Sequence, residues 1–189
     1  MNQIKKTLDT SPNQILLSNF LSIFIDKWDE TSLKINTDKQ RSAVMCLVFA
    51  ENDQLYILLT KRSETLSRHP GEICFPGGKV ELEDKNFLDS ALRETYEEVG
   101  ITSSEVNVIG RLDELVTGTG FHVIPFIGII KSLKNLRLDE REVSEIIKLP
   151  LNILANKSNR IKLSKNFNNK NFIFWKIIYL DYNIWGATA

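Results

Sequence analysis

Three glutamates in one short segment constrain this 189-residue chain more than any other feature. Residues 87–99 carry apolar side chains at helical spacing, and Gly100 is a residue type that commonly ends helices. We therefore predict a helix over residues 87–99. Glu94, Glu97 and Glu98 fall on one side of this helix. The opposite side is predicted to face the core and to carry Leu88, Leu92, Thr95, Tyr96 and Val99.

The three glutamates are unfavourable neighbours unless a cation accompanies them. Carboxylates three or four positions apart on a helix repel each other by about 0.2–0.5 kcal/mol per pair, and the last helical turns favour positive charge. One interpretation is an acidic solvent-facing surface with Arg93 as a partial counter-charge. Clustered carboxylate oxygens also suit Mg²⁺ or Mn²⁺. We favour the metal interpretation, with Glu94 and Glu98 as the principal ligands and Glu97 beside them.

This segment resembles the Nudix box, the signature of hydrolases that cleave nucleoside diphosphates linked to another moiety. Its Arg-Glu-x-x-Glu-Glu-x-Gly half is matched at every defined position, by Arg93, Glu94, Glu97, Glu98 and Gly100. The resemblance implies a metal-dependent enzyme in which Arg93 and the three glutamates are catalytic residues. Helical spacing alone leaves open which carboxylate acts as the general base.

The first half of the Nudix box departs from the family pattern. Its standard glycine and glutamate positions hold Lys79 and Lys85 in this chain. Gly78 and Asp84 fit these positions if one extra residue precedes the helix. We interpret Asp84 as the residue that caps the N-terminus of the helix rather than as a metal ligand.

A second pattern lies immediately before the helix, in residues 58–78. It reads Leu-Leu-Thr-Lys-Arg-Ser, followed by Leu66, His69-Pro-Gly and Phe75-Pro-Gly-Gly. This pattern is similar to the extra motif of the coenzyme A pyrophosphatase subfamily of Nudix hydrolases. Residues 116–118, 123–126 and 184–188 also resemble that subfamily, so the resemblance covers about residues 40–189.

The resemblance implies that the upstream motif contributes substrate-binding residues, namely Lys61, Arg62, His69, Gly77 and Gly78. Its cationic groups suit the 3′-phosphate or the diphosphate of coenzyme A. The two glycines suit a tight turn and a close approach of the backbone to the metal loop. A solvated loop is the alternative for Lys61, and structural packing of the loop is the alternative for His69.

Two further roles follow from charged residues near these motifs. Arg93 is predicted to orient a glutamate through a bidentate contact, with a plain surface salt bridge as the alternative. Nudix enzymes often supply a distal carboxylate from outside the box. Glu142 is the favoured candidate for it, ahead of Glu114 and Glu140.

The composition limits the partners and the location of the protein. Its 24 basic and 24 acidic residues give no net charge, which argues against a general nucleic-acid or membrane binder. No apolar stretch approaches the roughly 18 residues of a membrane span, and no signal-peptide pattern is present. Cys46 and Cys74 lie in apolar, strand-like segments, so we predict free core thiols. These features favour a cytoplasmic protein with a small-molecule nucleotide substrate. A homodimer stays open.

The chain divides into two predicted regions. Residues 1–40 form an N-terminal helical extension packed on the domain, with its helix from about residue 11 to residue 28, and residues 41–189 form a Nudix hydrolase domain. Strands are expected at 43–50, 54–61, 73–75, 106–113, 122–131, 142–149 and 172–182, with a helical turn at 151–155 and an exposed hairpin or loop at 156–170. The expected fold class is α+β, and the resemblance implies a Nudix fold with a mixed β-sheet sandwiched between α-helices. Family members usually continue into a C-terminal helix, so a chain truncated at Ala189 is a further interpretation.

The predicted function is divalent-metal-dependent hydrolysis of the pyrophosphate bond of coenzyme A or its derivatives. By resemblance, the products are 3′,5′-ADP and (acyl-)phosphopantetheine. One alternative is a Nudix hydrolase of another nucleoside diphosphate derivative, such as ADP-ribose or a dinucleotide polyphosphate. The other is a ligand-binding Nudix module without turnover, against which the intact glutamate trio argues.

Overall fold

A computed structural model describes residues 41–117, 120–167 and 170–189. The N-terminal extension predicted for residues 1–40 lies outside the described residues. The described chain forms a mixed sheet, a smaller antiparallel sheet and α-helices, which confirms the α+β prediction.

The described elements have the following bounds. The strands are β1 Arg41–Glu51, β2 Gln54–Arg62, β3 Ile73–Cys74, β4 Gly77–Lys79, β5 Asn107–Arg111, β6 Leu115–Val116, β7 His122–Ile129, β8 Val143–Pro150, β9 Arg160–Phe167, β10 Lys170–Tyr179 and β11 Tyr182–Trp185. The helices are α1 Phe87–Val99 and α2 Leu151–Ala155.

Strand β1 is the central element of the large sheet. It pairs in parallel with β7 along one side, while on its other side β4 pairs antiparallel with its first residues and β2 with its last. Its side chains alternate between two buried layers: Met45 and Leu47 face the layer that contains α1, and Cys46 and Val48 face the other. A strand buried on both faces explains why the segment is almost continuously apolar. The pairing of β4 with β1 places Gly77 and Gly78 beside the sheet centre.

Helix α1 packs on one face of this sheet, with the bounds that the sequence predicts. Asn86 caps its N-terminus, with the side chain accepting a 2.8 Å hydrogen bond from Asp89 N, so the prediction that Asp84 is the cap is wrong. Gly100 ends the helix at φ 75°, a left-handed conformation that glycine adopts without strain. Tyr96 was expected in the core and is instead 57 % exposed.

Strands β9, β10 and β11 form the second sheet, whose residues Ile177 and Ile184 are buried in the layer opposite α1. The predicted single strand at 172–182 is broken by a turn at Leu180, whose φ is 52°. Within the segment predicted at 156–170, Lys157–Asn159 form a 3-10 turn and Arg160–Phe167 form β9, which pairs antiparallel with β10 and so agrees with the hairpin alternative. Within the described ranges, neither α-helix has the length and apolar character needed to cross a bilayer.

Both cysteines are free thiols in strands of the large sheet, as predicted; Cys46 belongs to the core, whereas Cys74 is only half-buried. Burial raises the pKa of the Cys46 thiol to about 12. Burial also raises the pKa of Cys74 to about 11, an effect that the hydrogen bond with Thr60 partly offsets. A protonated, buried thiol is a poor nucleophile.

We therefore expect neither Cys46 nor Cys74 to react quickly with a thiol reagent in the native protein at pH 8. The measurement is the rate of labelling with and without denaturant, and both thiols should react promptly once the chain is unfolded. Fast labelling of the folded protein, or an intramolecular disulfide detected by mass spectrometry, would contradict the burial of these side chains.

Candidate active site

The contact between α1 and strand β4 forms the centre of the candidate active site. Gly77 N donates a 3.2 Å hydrogen bond to Glu98 Oε2. A Cβ atom on Gly78 would lie 2.3–2.5 Å from the carboxylate atoms of Glu94, and one on Gly77 would lie 2.4 Å from the carbonyl oxygen of Ala43. The two glycines are needed because only a backbone without side chains fits between β1 and the glutamates.

Burial gives the two central glutamates unusual acidities. Glu98 is 2 % exposed, and burial raises its pKa to about 8, with the Gly77 hydrogen bond opposing this shift and the charge of Glu94 adding to it. Burial also raises the pKa of Glu94, while the nearby Arg93 lowers it. Two carboxylates held together out of water favour either protonation or a cation. The alternative interpretation, an acidic surface facing solvent, therefore does not hold for Glu98.

Arg93 links the acidic residues of α1 to the loop before it. Its guanidinium contacts Asp84 in a bidentate manner, at 3.0 Å to Oδ1 and 3.1 Å to Oδ2. Its Nη1 also donates to Glu94 and Glu97, at 3.0 Å each. Arg93 thus touches two glutamates as predicted, but its bidentate contact is with Asp84. The Arg93 hydrogen bond is the main reason why the pKa of Asp84 falls to about 2.

Asp84 is the functional residue whose role the sequence reasoning missed. It also accepts hydrogen bonds from Ser90 Oγ at 2.6 Å and from Glu81 N at 2.8 Å, so its position is fixed from three directions. The signal was the fit of Asp84 to the glutamate position of the Nudix box when one extra residue is allowed. A carboxylate in this place anchors the arginine that orients the glutamates.

The glutamate trio is not a closed cage. The side chain of Glu97 is 53 % exposed and bonds to Arg93, whereas Glu94 and Glu98 lie against the double glycine. Among the described residues, no three His, Cys, Asp or Glu side chains converge into a ready-made metal site. Mg²⁺ characteristically binds through one or two carboxylates, with waters and substrate phosphates as further ligands. The buried Glu98 and the half-buried Glu94 therefore fit a divalent cation, and the exposed Glu97 leaves this edge of the trio open to solvent.

Of the candidate distal carboxylates, the structure brings Glu142 toward the site. Its charge contributes to raising the pKa values of both Glu94 and Glu98. Its carbonyl oxygen accepts a 2.8 Å hydrogen bond from Ser63 N, which ties it to the end of β2. Glu114 instead pairs with His122 at 3.7 Å.

The three cationic residues of the upstream motif occupy different environments. Arg62 lies close enough to Glu98 to lower its pKa, and within the described chain its buried Nε has no hydrogen-bond partner. Lys61 pairs with Glu64 at 3.7 Å. His69 Nδ1 lies 2.9 Å from Glu72, on an exposed loop where its own φ is 55°. Of these three, only Arg62 is placed beside the glutamates of α1.

Comparison with known proteins identifies the family. The sequence model of the NUDIX domain matches residues 39–166. The chain belongs to the Nudix family. It is 32 % identical over 171 residues to a protein of Enterobacter sp. (strain 638) named uncharacterized Nudix hydrolase NudL, with 89 % of each chain covered. A Yersinia pestis (strain Pestoides F) protein of the same name is 28 % identical over 190 residues, with 94 % of each chain covered.

Solved structures show the same fold at lower sequence identity. A MutT/nudix family protein from Enterococcus faecalis aligns with a TM-score of 0.52 at 17 % identity, covering 89 % of this chain and 57 % of the other. The NUDIX domain of Shewanella oneidensis NrtR, in complex with ADP ribose, aligns with a TM-score of 0.50 at 15 % identity, covering 71 % of this chain and 85 % of the other. These likenesses confirm the Nudix fold. The family and its relatives support a Nudix hydrolase, and such hydrolases generally use divalent metal ions.

Because Glu98 is buried at the centre of the candidate site, its substitution is a direct test of metal binding. We expect Glu98→Gln to fold and to be about as stable as the parent protein without metal, because burial already favours the neutral form of Glu98 and the amide oxygen can still accept the Gly77 hydrogen bond. It should lose most of the rise in Tm that Mg²⁺ gives the parent, and its hydrolytic turnover should fall by orders of magnitude. Thermal unfolding with and without Mg²⁺, together with a turnover assay, measures both effects.

The control for this test is Glu83→Gln, which removes one charge from an exposed residue of the preceding loop. It should leave the Mg²⁺-dependent rise in Tm and the turnover unchanged. Near-normal hydrolysis by Glu98→Gln in Mg²⁺ would refute the metal assignment.

The close approach of Gly78 to Glu94 gives a second test. In Gly78→Ala, the new methyl group would overlap the Glu94 carboxylate, so this side chain must move. Because the overlapping atoms are the end of a flexible side chain, we expect the unfolding free energy to fall by no more than about 1 kcal/mol, while turnover falls because Glu94 leaves its position. Lys79→Ala, which shortens the exposed neighbouring side chain, should change neither quantity much. Full activity in Gly78→Ala would show that the position of Glu94 does not matter.

Proposed function

We propose that this Nudix hydrolase uses Mg²⁺ or Mn²⁺ to cleave the pyrophosphate bond of coenzyme A or its derivatives, giving 3′,5′-ADP and (acyl-)phosphopantetheine. The observation that carries the proposal is the location of Arg62. This residue belongs to the motif that resembles the coenzyme A branch of the family, and it lies near enough to Glu98, on the helix that resembles the Nudix box, for its charge to lower the pKa of that carboxyl. The two motifs thus meet at one site.

The chemistry assigns a role to each group in this site. Glu94 and Glu98 would hold the divalent ion, with Glu97 at the exposed edge, and the ion would neutralise phosphate oxygens and so ease nucleophilic attack. Water adds to one phosphorus, and the bond between that phosphorus and the bridging oxygen breaks. Glu142, exposed and close to the buried pair, is the distal carboxylate that we propose as the acceptor of the proton from water.

Arg62 is suited to the diphosphate itself. A guanidinium with a buried, unmatched Nε in the described chain has hydrogen-bonding capacity left for an anion next to Glu98. Lys61 and His69 already contact acidic residues of their own loop, so we assign them a weaker part in substrate binding. Gly77 and Gly78 contribute to substrate binding indirectly, because they fix the positions of Glu98 and Glu94.

Two alternatives have specific support. The Shewanella oneidensis NUDIX domain is described as a complex with ADP ribose, and a structural neighbour from C. elegans, at 19 % identity and a TM-score of 0.50 over 60 % of this chain and 81 % of the other, is an Ap4A hydrolase. This chain would then act on another nucleoside diphosphate derivative or bind one without turnover. The intact trio of Glu94, Glu97 and Glu98 favours catalysis, because a pure binding module need not keep three acidic residues of which one is buried. The free thiols agree with the cytoplasmic location that we propose.

Turnover on coenzyme A, dephospho-coenzyme A and ADP-ribose, compared in parent and Arg62→Ala proteins, tests the function. We expect coenzyme A to be hydrolysed most efficiently. Arg62→Ala should lower kcat/KM by the equivalent of about 1.5–3 kcal/mol, the loss expected for one charge-assisted contact. Because Arg62 lies beside the glutamates, this loss should be similar with and without the 3′-phosphate.

The control is Arg68→Ala, which removes an exposed arginine from the same motif. It should have a much smaller effect on kcat/KM than Arg62→Ala. A preference for ADP-ribose would refute the proposed substrate. Unchanged kinetics of Arg62→Ala on coenzyme A would refute the role of Arg62 and reopen the choice of substrate.

A further inference from the structure

A cleft of about 570 Å³ lies at the C-terminal end of α1, next to the candidate active site. Its volume falls within the range of small-molecule sites. Glu97 of the glutamate trio lines it, so the cleft and that site share this residue. Tyr96 lines the same cleft and also a smaller one on its other side. This ring is 57 % exposed although it belongs to the helix that packs on the core.

The wall of the cleft opposite α1 is held rigidly. Arg137 N donates a 3.0 Å hydrogen bond to the carbonyl oxygen of Val99, and Asp139 N donates one of 3.1 Å to that of Glu98. A Cβ on Gly100 would lie within 3.1 Å of the backbone and Cβ of Arg137, so these two segments are in close contact. The positions of Tyr96 and Arg137 are therefore fixed relative to the glutamates.

Arg137 is the cation that lines the cleft, and within the described ranges the acidic residues around it have other partners. Glu97 accepts a hydrogen bond from Arg93, and Asp139 pairs with Arg141. Glu105, the third acid of the cleft, accepts hydrogen bonds from Thr102 N and Oγ1 and from Asn135 Nδ2. Arg137, which is exposed, has no side-chain hydrogen bond or ion pair with any residue of the described ranges.

An exposed aromatic ring next to a free guanidinium suits a nucleotide. Bases stack on tyrosine rings, and arginine binds phosphate through its planar fork of donors. Coenzyme A carries such a group on one side of its diphosphate, an adenosine with a 3′-phosphate. We propose that the cleft binds this end of the substrate, with the base against Tyr96 and the 3′-phosphate against Arg137. This inference rests on the function proposed above, with the diphosphate at the glutamates and Arg62.

The test measures binding of 3′,5′-ADP and 5′-AMP by calorimetry, which needs no turnover. We expect the parent protein to prefer 3′,5′-ADP. Arg137→Ala should weaken 3′,5′-ADP binding roughly 10- to 100-fold, as expected for a lost charge-assisted contact, and leave 5′-AMP binding unchanged. Alanine keeps the Cβ that packs near Gly100, so the wall should survive. Tyr96→Ala should weaken both nucleotides, and Tyr96→Phe should retain them.

Controls and kinetics separate this inference from the function on which it rests. Lys134→Ala, which removes an exposed cation that does not line the cleft, should bind both nucleotides normally. In turnover, Arg137→Ala should lose efficiency on coenzyme A and keep it on dephospho-coenzyme A. An enzyme that cleaves coenzyme A with an unchanged substrate preference in Arg137→Ala would overturn the cleft assignment alone. Arg137-dependent binding of 3′,5′-ADP by a protein that does not cleave coenzyme A would support the cleft and overturn the proposed function.

Discussion

The burial of Glu98 against the backbone of Gly77 is the constraint on which the rest of the site depends. A carboxylate that is 2 % exposed costs free energy unless hydrogen bonds or a cation compensate for its lost hydration. The Gly77 amide supplies one hydrogen bond, and it can do so only because β4 pairs with β1 closely enough to reach α1. The pairing of β4 with β1 therefore places the backbone of Gly77 and Gly78 where it affects the position and acidity of the glutamates.

Arg93 connects the glutamates of α1 to several other elements. It joins Asp84 in the preceding loop to Glu94 and Glu97 on the helix, and its Nη2 also donates to the carbonyl oxygen of Lys79 in β4. One guanidinium therefore fixes the loop, the strand and the helix relative to each other. This network positions the carboxylates before any substrate arrives, which is the arrangement that electrostatic catalysis requires.

The sequence predicts the parts of the fold that depend on local pattern. Apolar periodicity and Gly100 set the bounds of α1 correctly, and the strands expected at 43–50 and 54–61 lie within β1 and β2. Predictions from the sequence fail where contacts between distant parts of the chain determine the structure. Tyr96 has the periodicity of the core face but lies at its margin, beyond the reach of the sheet. The break at Leu180 places a leucine at φ 52°, a position for which sequence patterns predict glycine or asparagine. The link between Arg93 and Asp84 spans nine positions that include a loop, so no helical periodicity could reveal it.

On the roles proposed above, catalysis and substrate selection lie at different places along one helix. Glu94 and Glu98 lie against β4, where a metal-bound diphosphate of any substrate would meet them. The end of the same helix meets the segment around Arg137 at Gly100, where the left-handed turn lets the two backbones touch. Leu136 and Leu138 of this segment pack against the core, whereas the Arg137 side chain is exposed and its backbone amide bonds to Val99. The Arg137 side chain can therefore be replaced without disturbing the hydrogen bond between Gly77 and Glu98. If the cleft binds the adenosine end as proposed, substrate preference can vary at this edge while the carboxylates stay in place.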